Sequence, residues 1–155
     1  MRKNLVNNRF GPNDIMAIHQ VMTLGSKSMI DCLVNKFGAD LSSLTAKDQS
    51  VMHCAAQACT GYTSILILVK QYGMNTNCYD RYRATPLHLA ILQMEFHNIE
   101  LLLNFDADVN SQDHQGNSPL HFAVTLMLQR MEYFDRYKKI IKELLFHGAD
   151  RSLTR

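Results

Sequence analysis

The amino-acid sequence predicts an all-α solenoid of about four helix-turn-helix repeats with β-hairpin tips. Residues 85–90 read T-P-L-H-L-A, and residues 118–123, 33 positions later, read S-P-L-H-F-A. A weaker copy, S-V-M-H-C-A, occupies residues 50–55. A second landmark, a Gly-Ala-Asp-like turn after an amphipathic run, recurs near residues 38–40, 73–75, 106–110 and 148–150. A period of this length predicts stacked helix pairs, because one pair cannot bury its own apolar faces.

The whole chain, residues 1–155, is predicted to form one repeat domain. Its length and its 46% hydrophobic content suit a single domain with its own core. The approximate repeats are residues 12–44, 45–79, 80–112 and 113–155. The longest apolar run, residues 65–69, is too short to cross a bilayer, and no apolar run follows Met1 as in a signal peptide. We therefore expect no membrane insertion and a cytoplasmic location, with the nucleus as the alternative.

The first repeat is predicted to be a degenerate N-terminal cap. Residues 15–44 lack the hexapeptide motif, but Ile15, Ile18 and Val21 have helical spacing. Gly25 follows this run and is expected to end the first helix.

The inner helices of the later repeats have clear start signals. Thr85 and Ser118 are suited to the N-cap, and the proline after each fits the first helical position, where its missing N–H costs nothing. Gly116 stands where a turn needs positive φ. Arg83 and Met94 occupy positions where glycine is usual, so left-handed geometry there would cost about 1 kcal/mol each.

The outer helices are predicted from apolar stripes. These stripes lie within residues 29–34, 65–69, 99–102 and 140–145. Each stripe needs a neighbour to cover it, which again favours a stack.

The fourth repeat is about nine residues longer than the third. The surplus lies within residues 126–139, which contain no glycine or proline, so we expect both helices to be extended around a turn near Asp135. Its large apolar side chains are expected to pack over the end of the stack, with a second binding surface as the alternative. They are Met127, Met131, Tyr133, Phe134 and Tyr137.

On these motifs the sequence resembles the ankyrin-repeat family, with its T-P-L-H-x-A helix start, paired short helices and G-A-D-V-N loop. The resemblance covers roughly residues 15–155 and is strongest over 80–123. It implies that the recurrent histidine bonds the backbone of the adjoining hairpin, and that hairpin tips and inner helices recognise a partner. A weaker resemblance, to ankyrin regions of DHHC palmitoyltransferases, rests on residues 53–57 (H-C-A-A-Q) and 148–151 (G-A-D-R).

The sequence offers no residues for catalysis, a cofactor or a metal. His53, His88 and His121 recur at one repeat position, which spaces the rings too far apart to share an ion. No phosphate loop, paired-carboxylate site or Ser/His/Asp spacing is recognisable. We therefore expect a protein that is not an enzyme, with no cofactor and no small-molecule substrate.

The cysteines and the charge also narrow the function. Cys32, Cys54, Cys59 and Cys78 are interpreted as free thiols. Cys54 lies on an apolar helix and should be inert. Cys78 lies in the hairpin region beside Tyr79 and Arg81, where its exposure is left open and would not by itself make a catalyst. A net charge of +2 predicts neither nucleic-acid nor acidic-membrane binding.

The best candidate for binding is the hairpin at residues 78–83, because tyrosine and arginine are enriched at interface hot spots. The alternative is a solvated loop. The predicted partner-binding residues fall in three groups. The hairpin supplies Tyr79, Arg81, Tyr82 and Arg83; the continuing edge supplies Lys47, Asp48, His114, Gln115 and Asn117; the floor of the groove supplies Gln57, Gln93, Met94 and Thr125.

The predicted function is that of a non-catalytic protein-interaction module: an adaptor, scaffold or inhibitor with one unidentified protein partner. One alternative is the substrate-recognition segment of a larger enzyme or channel, such as an ankyrin-containing palmitoyltransferase. Another is an IκB-like inhibitor of a transcription factor. Self-association through an uncapped C-terminal end is a further possibility.

Overall fold

The computed structural model describes residues 5–152, and within them the regular structure is helical. The helices are α1 (Ala17–Leu24), α2 (Lys27–Asp31, continued by a π-helical turn Cys32–Lys36), α3 (Val51–Ala56), α4 (Gly61–Lys70), α5 (Pro86–Leu92), α6 (Phe96–Asn104), α7 (Pro119–Gln129) and α8 (Phe134–Phe146). Short 3₁₀ turns occupy Leu5–Asn7 and Met131–Tyr133. The predicted all-α class is confirmed.

The helices form two parallel rows. In the inner row α1, α3, α5 and α7 pack side by side, and in the outer row α2, α4, α6 and α8 do the same. One continuous core lies between the rows, and its fully buried side chains include Ile18, Met52, Leu68, Ile91 and Ile140. The predicted solenoid is therefore confirmed, and each repeat depends on its neighbours for burial.

Each inner helix begins with the same local bond. The backbone N–H of the residue before α3, α5 and α7 donates to Nδ1 of the histidine three positions later, at 3.2, 3.2 and 3.3 Å. In α1, Met16 and His19 make the same bond at 3.1 Å. The degenerate first repeat thus keeps this bond although it has lost the Ser/Thr-Pro start.

The hairpin tips are tight turns closed by backbone hydrogen bonds. Three of them span residues 45–49, 80–84 and 113–117, with first N–H to last carbonyl distances of 3.0, 3.0 and 3.1 Å. Asp48, Arg83 and Gly116 have φ of 57°, 60° and 78°. Met94, after α5, has φ of 58°. Arg83 and Met94 therefore keep the left-handed geometry although neither is glycine.

Two buried polar side chains bond the second and third repeats to the repeat before each of them. Ser64 Oγ in α4 donates to Met22 O at 2.7 Å. Asn98, 34 positions later in α6, donates from Nδ2 to Ala56 O at 3.0 Å and Ala58 O at 2.8 Å. Carbonyls at the end of a helix lack intrahelical partners, so these bonds satisfy groups that would otherwise be buried unpaired.

The last repeat has the longest helix pair of the described residues, as predicted. Helices α7 and α8 have 11 and 13 residues, against 7 and 9 in α5 and α6. The turn lies at Met131–Tyr133, so its expected place near Asp135 is wrong. Asp135 instead lies in the first turn of α8, where a carboxylate favourably faces the positive end of the helix dipole.

The apolar side chains of the inserted segment do not all pack inward. Tyr137 is fully buried and Met127 is half-buried. Met131, Tyr133 and Phe134 are exposed, so the packing prediction is wrong for these three. Met131 and Tyr133 lie in the 3₁₀ turn and Phe134 is the first residue of α8, so all three precede the buried stripe of α8, which begins at Tyr137.

Replacing Tyr137 with phenylalanine is expected to raise the free energy of unfolding by about 1 kcal/mol. The buried hydroxyl of Tyr137 has no hydrogen-bond partner among the described residues. On folding, this hydroxyl therefore loses its hydrogen bonds to water and gains none in return. Urea unfolding followed by circular dichroism measures the change. As a control, removing the hydroxyl of exposed Tyr133 should change stability little. A less stable Tyr137→Phe variant would contradict the prediction.

Candidate functional site

The hairpin tips form one continuous edge, which we call the tip row: residues 11–14, 46–48, 81–83 and 114–116. Each tip bonds the next through its backbone. Ala46 N donates to Asn13 O at 2.8 Å, Arg81 N to Lys47 O at 3.0 Å, and His114 N to Tyr82 O at 3.0 Å. The tip row is therefore one continuous surface in which backbone hydrogen bonds join each turn to the next, rather than a set of independent loops.

The centre of the tip row presents aromatic and cationic side chains. The guanidinium of Arg83 lies over the Tyr79 ring, 5.3 Å from its centroid. Tyr79 is 47% exposed and Tyr82 is 58% exposed. Arg81 Nε pairs with Asp48 Oδ2 of the neighbouring tip at 3.2 Å. The structure thus brings together five of the predicted residues on one surface.

The fourth tip, at residues 114–116, contributes exposed side chains and is braced by hydrogen bonds of its own turn. His114 and Gln115 are exposed. The Asp113 carboxylate accepts hydrogen bonds from Gln115 N at 2.8 Å, Asn117 N at 2.9 Å and Asn117 Nδ2 at 3.1 Å. The side chain of Asn117 therefore holds the turn together, and the tip offers His114 and Gln115 to a partner.

A cavity of about 390 Å³ lies beside the first two tips, and we call it the groove cavity. It brings predicted residues Lys47 and Gln57 together. The lining residues are Asn13, Ile15, His19, Gln20, Thr23, Thr45, Lys47, Gln49, Cys54 and Gln57. The cavity therefore joins the tip row to the inner helices α1 and α3.

Sequence reasoning missed six polar residues of this cavity: Asn13, His19, Gln20, Thr23, Thr45 and Gln49. A signal for two of them is present in the sequence. If His19 is aligned with His53, Gln20 and Thr23 fall on the positions of Cys54 and Gln57.

Three predicted floor residues lie away from the tip row. Gln93 and Met94 are at the opposite end of α5 from Thr85. Gln93 is exposed there, and Met94 lines a pocket of about 220 Å³ with residues from α6 and α8. Thr125 on α7 lines another cavity, of about 280 Å³, at the C-terminal end of the stack. Self-association through that end stays a prediction.

The recurrent histidines have structural bonds. Their Nδ1 atoms accept backbone N–H bonds, so Nε2 carries the proton and donates to a carbonyl. Nε2 of His53 bonds Ala84 O at 3.1 Å, and Nε2 of His88 bonds Asn117 O at 3.2 Å. Burial lowers the pKa of both imidazoles. Among residues 5–152, no group of three or more metal-ligating side chains is close enough to hold an ion.

The cysteines of the inner face are buried thiols. Burial raises the pKa of Cys54 to about 12, so its thiolate is not formed at neutral pH. Cys78 is half-buried, with Sγ 3.2 Å from Ser50 Oγ and 3.7 Å from His53 Nδ1. Burial raises the pKa of Cys78 as well.

Comparison with known proteins gives a consistent pattern. Residues 57–154 match the family model for ankyrin repeats in three copies. The chain is 29% identical over 119 residues to one ankyrin repeat protein of fowlpox virus, and 27% identical over 95 residues to a second. It is 25% identical over 130 residues to human BCL-6 corepressor-like protein 1. These alignments cover 76%, 61% and 83% of this chain but only 22%, 12% and 7% of the relatives.

These comparisons do not show the resemblance to DHHC palmitoyltransferases. Over the described residues, no helix has the length and apolar character that crossing a bilayer requires.

Proposed function

Because the chain belongs to the ankyrin-repeat family, we propose that it binds a protein partner without catalysing a reaction, through the tip row and the adjoining groove cavity. Ankyrin repeats are generally protein–protein interaction modules. The observation that carries the proposal is the exposed cluster of Tyr79, Tyr82 and Arg83 on a ledge held by backbone bonds.

Rigid aromatic side chains support this proposal energetically. Tyrosine and arginine contribute disproportionately to binding energy, and an interface loses less free energy when its side chains are ordered beforehand. The Arg83 guanidinium is already stacked on Tyr79, and Arg81 is already paired with Asp48. A partner therefore meets a surface whose side chains need little reordering.

Adaptor, scaffold and inhibitor roles, including IκB-like inhibition of a transcription factor, would all use this surface. They differ in the identity of the partner. We place the protein in the cytoplasm or the nucleus as part of the same proposal.

An affinity capture from source-cell extract tests the proposal. We expect the triple variant Tyr79→Ala, Tyr82→Ala, Arg83→Ala to lose a protein that the wild type captures, because the three truncations remove the exposed hot-spot side chains. Quantitative mass spectrometry with isotope labels measures how much of the partner the variant captures relative to the wild type. We expect a decrease of about tenfold or more. Circular dichroism and a urea midpoint verify that the variant is folded.

The chain offers a matched control. Arg136 lies over Tyr133, 5.9 Å from the ring centroid, and Phe134 is exposed beside them. The variant Tyr133→Ala, Phe134→Ala, Arg136→Ala removes similar side chains from the inserted segment. If this control loses the partner while the tip variant keeps it, the tip row is the wrong surface.

A further inference from the structure

The groove cavity has the size of a ligand site and an unusual lining for a helical stack. Its volume of about 390 Å³ falls within the range of small-ligand sites. In the third and fourth repeats the matching inner-helix positions carry the apolar residues Leu89, Leu92 and Phe122 and the polar residue Thr125. In the first two repeats the same positions carry Gln20, Thr23, Cys54 and Gln57, so polar groups face the open space.

The carboxamides of this lining have no structural role of their own. The side chains of Asn13, Gln20, Gln49 and Gln57 make no hydrogen bond to any residue in the described part of the chain. Other carboxamides of the fold are used to join repeats. Asn7 bonds Gly38 and Asp40, Asn77 bonds Asp106 and Asp108, and Asn110 bonds Gly148 and Asp150. The groove cavity therefore collects donors and acceptors that folding leaves unused.

The charge at the cavity is positive and unneutralised. Lys47 is the cation of the lining, and no carboxylate lines the space. The neighbouring carboxylate of Asp48 pairs with Arg81, and that of Asp14 pairs with Arg9. Within residues 5–152 the Lys47 ammonium has no ion-pair partner.

We propose that the groove cavity binds an extended peptide segment that carries a carboxylate. A carboxamide both donates and accepts, so the four free carboxamides match the alternating N–H and C=O groups of an extended main chain. The Lys47 ammonium pairs with the carboxylate of the segment. This inference rests on the proposed function, because it names the part of the protein partner that enters the groove.

The carboxylate has two possible sources: an Asp or Glu side chain, and a C-terminus. Selection from randomised heptapeptides on the full chain separates them. One library is displayed with a free C-terminus, and the other has further residues after the randomised segment. We expect enriched peptides to carry Asp or Glu at a fixed position in both libraries, or to appear only in the free C-terminus library when the terminal carboxylate is recognised.

The selected peptide, labelled with fluorescein, is then measured by fluorescence anisotropy. Lys47→Glu is expected to weaken binding about tenfold or more, and Lys47→Arg to retain it. Gln57→Leu is also expected to weaken binding, since it removes main-chain bonds. Leucine is the residue of the third repeat at this position, so this variant keeps the local fold. Lys142→Glu, on exposed α8, is the matched charge control and should bind like the wild type.

Three results would each overturn the inference. The enriched peptides carry no carboxylate, or the wild type enriches peptides no more than the Lys47→Glu variant does, or the selected peptide binds the wild type and the Lys47→Glu variant with equal affinity. Failure of the tip-row assignment can be told apart from failure of the groove-cavity inference. If the tip-row variant captures the same partners as the wild type and selects the same acidic peptides, the tip-row assignment is wrong and the groove-cavity inference stands. If the tip-row variant loses the partner and no peptide is selected, the reverse holds.

Discussion

Replacing Gly61 with alanine is expected to destabilise the fold by about 3 kcal/mol or more. Gly61 begins α4, directly below the end of α3, and is buried. A Cβ at this position would overlap the Ala55 carbonyl oxygen and would lie 2.9 Å from Nδ2 of Asn98. The same amide nitrogen bonds Ala56 O and Ala58 O, so the added methyl group would push apart three helices and break buried hydrogen bonds.

Urea unfolding of Gly61→Ala and Gly116→Ala measures this effect against a matched glycine. Gly116 has φ of 78°, and a Cβ there would meet nothing within 4 Å, so its substitution should cost only about 1 kcal/mol of backbone strain. A Gly61→Ala variant without a folded baseline would show lost helical circular dichroism, and this result would agree with the prediction. Equal stability of the two variants would contradict it.

Acidification from about pH 7.5 to about pH 5 is expected to lower the free energy of unfolding. Burial lowers the pKa of His53 and His88 from 6.5. Below about pH 6.5 these histidines take up protons in the unfolded chain but not in the folded chain. Stability therefore falls as the pH decreases, by up to about 1.4 kcal/mol per pH unit for each histidine, until the folded-state pKa values are reached. Burial also lowers the pKa of His19, which borders the open groove cavity and should contribute less.

The bonding of the rings explains why the folded state resists protonation. A second proton would go to Nδ1, which already accepts an N–H from Ser50 in one case and from Thr85 in the other. Asp80 and Asp113 lie close enough to favour the charged form of His88, and Asp80 does the same for His53. Burial is the larger effect, so the pKa of each ring remains lowered.

Urea midpoints at half-unit intervals of pH test this prediction. A flat profile between about pH 6.5 and pH 5 would contradict it. The His53→Gln variant should be less stable near neutral pH. The slope of its free energy of unfolding against pH should correspond to about one proton fewer than that of the wild type.

Carboxylates titrate in a separate, more acidic pH range. Hydrogen bonds from Ser42 and Ser152 lower the pKa of Asp40 and Asp150 below 3.8, so their contribution is lost only in stronger acid.

The sequence predicted the helices best where local chemistry is repeated. The Ser/Thr-Pro starts of α5 and α7 and the turn at Gly116 depend on residues adjacent in the chain, and the structure has them where expected. The turn of the last repeat was misplaced because residues 126–139 contain no local stop signal. Its position depends on how Tyr137 packs into the core.

The candidate site was predicted less completely than the fold. Tyr79, Tyr82 and Arg83 could be chosen from residue type and their place in a hairpin. Gln20 and Thr23 belong to a repeat that has lost the motif, so their membership of the groove is visible only once α1 is stacked on α3. Gln93 and Met94 were assigned to the groove because helix length alone does not say which end of a helix faces the tips.

The sequence by itself determined the family and the helix pairs, because these features repeat with a fixed period and rest on bonds within a few residues. The bond of each recurrent histidine to the adjoining hairpin was implied by the family resemblance, and in His53 and His88 it joins residues 31 and 29 positions apart. Only the tertiary structure decided which polar groups remain free. Asn98 and Asn117 are both bonded within the fold, whereas Gln57 and Lys47 have no such partner among the described residues. The partners of Asn98 lie 42 and 40 positions away, so stacking of the repeats decides that its carboxamide is used. Asn117 bonds Asp113 within its own turn.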